Sequence, residues 1–500
     1  MKTILSTIET HCKRILDAPK FFWLIIGLFA LSALWVATAS AYPMAFDEDF
    51  HLGIIKIYAA HPSPFGLIPT REMAQFGNVP YDPSYLYHFL FGPLYNLAQG
   101  LHFSSIGTII FLRFVNIGLF LGAVVMTKKV LAQLGATQVM QNSLIALWLL
   151  IPIMSQLAGQ INYDNLFLLE VATTFWLSLR ILRSLTKKHQ LPARELWLLG
   201  IVCLLSAVTK YAFLPIAFGI LLVIFIVMLR QRRGFWTLIG QSFQEFWHTR
   251  WLIKALLIGS LGVSLILSSR YVTDILQFRS VTPSCDETFM VSDCMAYGPY
   301  ERDELLAQNI SSDFTPLDPV SYVGVHWIPG MMNRLFFAVA GASNDFDTQP
   351  PLTIPIMLYS IFGVIVFIGI GLAMWQRKLS SAEWLVLSAF FVYGLALIVQ
   401  LYQSYRHTGE PVAINGRYLL PLLPLVGYVP LRYFSSLQLY RRIVRPQAAI
   451  IAVVMLVLAV SQGGILTYIV RSQQNWYWPG WGQQSHTVLK TIVDSITLKL

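Results

Sequence analysis

Charge is scarce in this chain. Only 12% of the residues are Asp, Glu, Lys or Arg, about half the share of a soluble domain, whereas 56% are hydrophobic. A water-soluble fold is thereby excluded. Cysteine is rare too: there are four, and no CxxC spacing or neighbouring histidines to suggest a zinc site. Internal repeats and low-complexity tails are absent, which counts against the repeated halves common among transporters. Acidic residues are fewer than basic ones, 25 against 35. That excess lies in short segments between apolar runs, so it reports membrane topology and argues against a nucleic-acid partner.

What is present is a succession of apolar runs. The run at 21–41 has no charge and is long enough to cross about 30 Å of hydrocarbon. It carries signal-peptidase-like Ala-x-Ala steps near its end, but its length is that of an uncleaved anchor. About eleven spans are expected, near 21–41, 104–127, 143–159, 165–184, 196–208, 212–229, 251–269, 353–374, 383–401, 418–433 and 447–470. The expected fold is thus an all-α integral membrane protein with a single transmembrane domain over 1–500. With the N-terminus inside, most Lys and Arg fall on the cytoplasmic side, among them Lys128, Lys129, Arg183, Arg232, Arg233, Arg441, Arg442 and Arg445. The same orientation puts 42–103, 270–352 and 471–500 outside. Cys285 and Cys294 then share an outer loop, and a disulfide between them is expected in an oxidising compartment.

Several polar clusters need explanation. Asp47, Glu48, Asp49 and His51 follow the first span directly. On a helix the i, i+3 and i, i+4 positions stack, so Asp47 and His51 can touch. A carboxylate there could deprotonate a hydroxyl, and with His could hold a divalent cation; acids capping a helix start would explain part of the pattern. In Asn162–Asn165 (NYDN), Asp164 suits a helix cap or a polar site. Lys210 and Tyr211 interrupt an apolar stretch, where Lys could snorkel or meet an anionic headgroup. In INGRYLLPLLPL, Arg417 sits on the lip of a span bent by Pro421 and Pro424, and its fork suits a phosphate; Arg406 and His407 lie nearby in sequence. Arg113 and Glu170, both inside spans, are expected to form a structural pair. The aromatics Tyr81, Tyr85, Tyr87 and His88 and the tail NWYWPGW read as an interfacial belt or a sugar-stacking or lipid-gripping platform. Asn309-Ile-Ser311 fits the N-glycosylation pattern.

Taken in order, these clusters resemble the polytopic glycosyltransferases of the GT-C fold class, and within them a bacterial group with DE..H, YD, KY and GRY-x-x-P motifs. Here the matching residues are Asp47, Glu48 and His51, then Tyr163 and Asp164, Lys210 and Tyr211, and Gly416, Arg417, Tyr418 and Pro421. The resemblance implies a multi-pass protein of the bacterial cytoplasmic membrane, in which the segment 42–103 would supply interfacial helices. It implies transfer of a sugar from a polyprenyl-phosphate donor to a hydroxyl of a glycan, lipid or protein acceptor, with inversion, on the extracytoplasmic face. Asp47 would be the base, with Asp49 or Glu48 as alternates. Arg417 and Lys210, helped by Tyr211 and Arg406, would bind the donor phosphate; Asp164, Tyr163 and Tyr418 would support the site. His51 would orient the carboxylate or, with Asp47 and Glu48, hold Mg or Mn. A transporter, flippase, polymerase or ligase of lipid-linked glycans is the alternative.

Overall fold

A computed structural model describes residues 2–45, 47–231, 234–337, 353–436, 447–461 and 463–496. The chain is 78% helical, and among the described residues the β contact is an isolated bridge between Ser40 and Tyr477. Arg232, Arg233, Arg441, Arg442, Arg445 and the end of the 270–352 loop lie outside the described residues.

Among the described residues, seven helices are long and apolar enough to cross a membrane: Pro19–Ala39, Ser105–Leu134, Asp164–Lys188, Trp251–Phe278, Ile354–Trp375, Ser381–Thr408 and Ala448–Arg471. Phe213–Leu229 is apolar but shorter. Three further apolar runs form shorter elements. The run at 143–159 divides into Gln138–Leu149 and Ile153–Ala158, because Pro152 between them has no N–H to continue a helix. The run at 196–208 lies in the 17-residue helix Ala193–Thr209. The run at 418–433 begins as a short turn, Gly416–Leu419, and becomes helical only at Leu423–Ser436, so Pro421 falls in the break.

Local signals set these helices. Ser104 caps Ser105–Leu134 by accepting from the Gly107 amide at 3.1 Å, and Gly135, at φ 94°, closes it. Ser380 and Glu383 form a capping box at the start of Ser381–Thr408. Phe213–Leu229 packs on Ser381–Thr408 so closely that a Cβ on Gly219 would sit 2.7 Å from the Ala389 Cα; glycine permits the approach.

The segment 42–103 holds the helices Glu48–Ala60 and Leu86–Gly100, which pack on each other, and a single turn, Arg71–Ala74, between them. Cys285 and Cys294 are joined by a disulfide that packs against Ala74. The tail folds back on the first span: the Ala41 amide donates to the Trp476 carbonyl at 2.8 Å and the Trp478 amide to Ala39 at 2.9 Å. Trp476 and Tyr477 are therefore buried, not displayed as a belt or platform, and Tyr85, Tyr87 and His88 are buried as well.

Candidate active site

Two adjacent carboxylates, Asp47 and Glu48, go separate ways. Asp47 adopts a left-handed backbone, φ 73° and ψ 27°, immediately before the helix Glu48–Ala60. That turn sends the two side chains to different partners.

Glu48 turns inward, fully buried. Arg113 Nε donates to its Oε1 at 2.8 Å and Nη2 to its Oε2 at 2.7 Å. The backbone amides of Met44 and Ile161 complete its shell at 2.8 and 3.1 Å. Arg113 in turn donates to the carbonyls of Ala37, Ser40 and Ala41. The pair thus ties the end of the first span to the next span and to the turn before Asp164. The expected Arg113–Glu170 pair is not formed; Glu170 instead accepts from Thr209 Oγ1 at 2.9 Å.

Asp47 turns the other way, half-exposed, and its Oδ2 accepts from Arg417 Nη2 at 2.8 Å. Arg417 is buried on the turn Gly416–Leu419, whose cap is Asn415, and its Nε lies 3.6 Å from Asp164 Oδ2. Asp164 opens the helix Asp164–Lys188 and binds Lys210 Nζ at 2.5 Å through Oδ1. Lys210, at the end of Ala193–Thr209, also lies 4.4 Å from the Tyr163 ring and 4.7 Å from the Tyr418 ring. Four residues far apart in sequence therefore form one cluster of two acids and two bases, formally neutral. Beside it a narrow crevice is walled by Leu157, Phe167, Leu168, Leu420 and Pro421. Gly416 has no room for a Cβ, which would strike the Met331 carbonyl and Leu335, so glycine sets the path of the Arg417 turn.

His51 does not meet Asp47. Its Nδ1 lies 2.9 Å from His88 Nε2, the two rings stacked, with Tyr163 4.7 Å from the His51 ring. Burial, then the neighbouring His88, Arg417 and Lys210, hold the His51 imidazole well below its ordinary range; burial pushes His88 down to about 3. Both rings are therefore neutral at pH 7.

The expected Asp47, Glu48 and His51 metal set is not assembled. Glu48 is saturated by Arg113 and two amides, and the described residues contain no group of three or more His, Cys, Asp or Glu able to hold an ion. Asp49 is exposed. Arg406 is exposed as well and enters no ion pair among the described residues. Tyr211 accepts from Gln400 at 3.0 Å through its hydroxyl.

Some of the site's supports belong to none of the motifs read in the sequence. Asn116 Oδ1 accepts from Tyr87, from Asn165 and from the Asn162 amide, fixing the NYDN turn. Arg270 is buried and donates to the Asp82 carbonyl at 2.7 Å and the Tyr58 hydroxyl at 3.2 Å, holding the first loop. A polar residue inside an apolar run was the available signal for Asn116. His88 had no such signal beyond its place among aromatics. A larger groove beside the first span, lined by Leu24, Leu28, Ser32 and Met455 among others, has no charged side chain in its lining.

Fold and cluster together define a multi-pass, all-helical membrane protein with a buried, charge-balanced site at one end of its bundle. No family model and no curated protein matches its sequence. Among solved structures it is similar to the Archaeoglobus fulgidus oligosaccharyltransferase, crystallised with a tethered acceptor peptide containing the NVT sequon. The likeness has 13% identity and a TM-score of 0.41, and it covers 89% of this chain and 54% of that one. The chain thus spans about half the length of that protein, and its functional reading rests on its own side chains.

Proposed function

We propose that this chain is a membrane glycosyltransferase of the GT-C type, moving a sugar from a polyprenyl-phosphate donor to an acceptor hydroxyl on the extracytoplasmic face. The observation that carries the reading is the cluster of Asp47, Asp164, Lys210 and Arg417. A forked guanidinium and an ammonium, both buried at the membrane end of the bundle, suit the phosphate of a lipid-linked leaving group. An accessible carboxylate directly beside them suits the proton of a hydroxyl.

In the proposed reaction Asp47 accepts the proton of the acceptor hydroxyl as its oxygen attacks the anomeric carbon. The bond from that carbon to the phosphate oxygen breaks, and polyprenyl phosphate leaves with the electron pair. Arg417 and Lys210 bind the charge on the leaving group, and Asp164 keeps both cations in place. Attack on the face opposite the phosphate inverts the anomeric centre. Glu48 has no chemical role here, because its oxygens are already filled.

The test is release of polyprenyl phosphate by the purified protein in lipid, from a panel of polyprenyl-phosphate sugars. Wild-type turnover that disappears in Asp47→Asn while the donor still binds supports the assignment. Movement of the lipid-linked sugar between leaflets without turnover would replace it with transport.

A further inference from the structure

The four charged residues also constrain the order of events. Asp47 and Asp164 against Lys210 and Arg417 sum to zero, in a site where three of the four side chains are buried. A phosphate that joined this group as a fifth member would leave a net negative charge among side chains of which three are buried. One carboxylate must withdraw. Exposure decides which. Asp164 is about 7% exposed at its side chain, opens a long helix and faces both cations, whereas Asp47 is 52% exposed and faces Arg417 alone. Asp47 has open space to move into; Asp164 does not.

We propose that the Asp47–Arg417 ion pair is a latch displaced by the donor phosphate, so that the base is released only when the donor is seated. This rests on the glycosyltransferase reading above and adds a binding order to it. In the closed arrangement the Asp47 carboxylate is committed to Arg417 Nη2 at 2.8 Å and is unavailable to an acceptor hydroxyl. An arriving phosphate takes over the guanidinium through two parallel hydrogen bonds, where Asp47 supplied one. The freed carboxylate then lies at the end of the Glu48–Ala60 helix, next to the donor it has just admitted. The device keeps acceptor activation from running ahead of donor binding. Glu48, one residue on, is the fixed point about which the Asp47 side chain swings, since its two bonds to Arg113 hold the helix start.

The latch has a counter-intuitive signature: removing the charge of the base should improve binding of the leaving group. The probe is a short-chain polyprenyl phosphate titrated onto the full-length protein in lipid nanodiscs, with wild type, Asp47→Asn, Arg417→Lys and Arg417→Gln in parallel. The expected result is binding about tenfold tighter to Asp47→Asn than to wild type, the factor for no longer breaking one charge-assisted hydrogen bond. Binding should weaken in Arg417→Lys and vanish in Arg417→Gln. Arg417→Lys keeps the buried charge, so a loss confined to the Gln variant with a lowered melting temperature still leaves the Lys variant to decide. Equal binding by wild type and Asp47→Asn, with loss in the Arg417 variants, would overturn the latch while leaving the phosphate site intact. No binding to any of the four would overturn both.

Discussion

Replacing Glu48 by Gln tests whether this acid is structural or belongs to the proposed chemistry. In the native protein Glu48 accepts four hydrogen bonds, two from Arg113 and one each from the amides of Met44 and Ile161. Glutamine offers a single oxygen, and its NH2 group would face donors where the second carboxylate oxygen had faced acceptable partners. At least two bonds are lost, and the Arg113 guanidinium stays buried with carbonyls but no counter-charge. Breaking a buried pair from one side costs about 3–5 kcal/mol. Glu48→Gln should therefore lower thermal and denaturant resistance in lipid or detergent by about that amount. Adding Arg113→Met should recover part of the loss, because the orphaned charge goes with it; the shortfall from additivity measures the coupling. Fluorescence-detected thermal unfolding of the two single variants and the double variant closes the cycle. A Glu48→Gln protein with wild-type stability and no turnover would refute the reasoning and return Glu48 to the list of bases.

Two further outcomes are expected. Because burial lowers the His51 and His88 imidazoles below their unfolded value near 6.5, the unfolded chain binds protons that the folded one does not. Their contribution is fully present above about pH 6.5 and is lost as pH falls from there toward 3; unfolding of His88→Phe between pH 4 and 6.5 should be less pH-dependent than wild type, and an unchanged profile would count against a buried neutral pair. Denatured without reductant, the protein should titrate only the thiols of Cys12 and Cys203, with Cys285 and Cys294 reacting after reduction; reactive Cys285 before reduction would contradict the disulfide.

The charged residues of the cluster are visible in the sequence one at a time. Asp47, Asp164, Lys210 and Arg417 each stand out as charge beside an apolar run, where burial is costly and demands a reason. Their meeting was not visible, because Asp47 and Arg417 are 370 positions apart and no local pattern encodes that distance. Nor could sequence tell Asp47 from Glu48: helical stacking predicts contact of Asp47 with His51, but the positive φ at Asp47 removes it from that helix face. Depth alone pairs Arg113 with Glu170, both charged side chains in spans, but Glu48, just beyond the end of the first span, takes the guanidinium instead. The tail aromatics misled for a related reason. Trp and Tyr favour interfaces by composition, yet here the backbone of 476–478 pairs with that of 39–41 and carries two of the rings under cover.

The clamp between Glu48 and Arg113 bears on how the protein is made. Arg113 is buried near the start of a 30-residue span that must enter the bilayer, and a lone arginine at depth resists insertion by about 2.5–3.5 kcal/mol. Its counter-charge and the carbonyls of residues 37–41 are synthesised before it. The ribosome therefore delivers the acceptor pocket first and the cation second, and the second span can partition into lipid already neutralised.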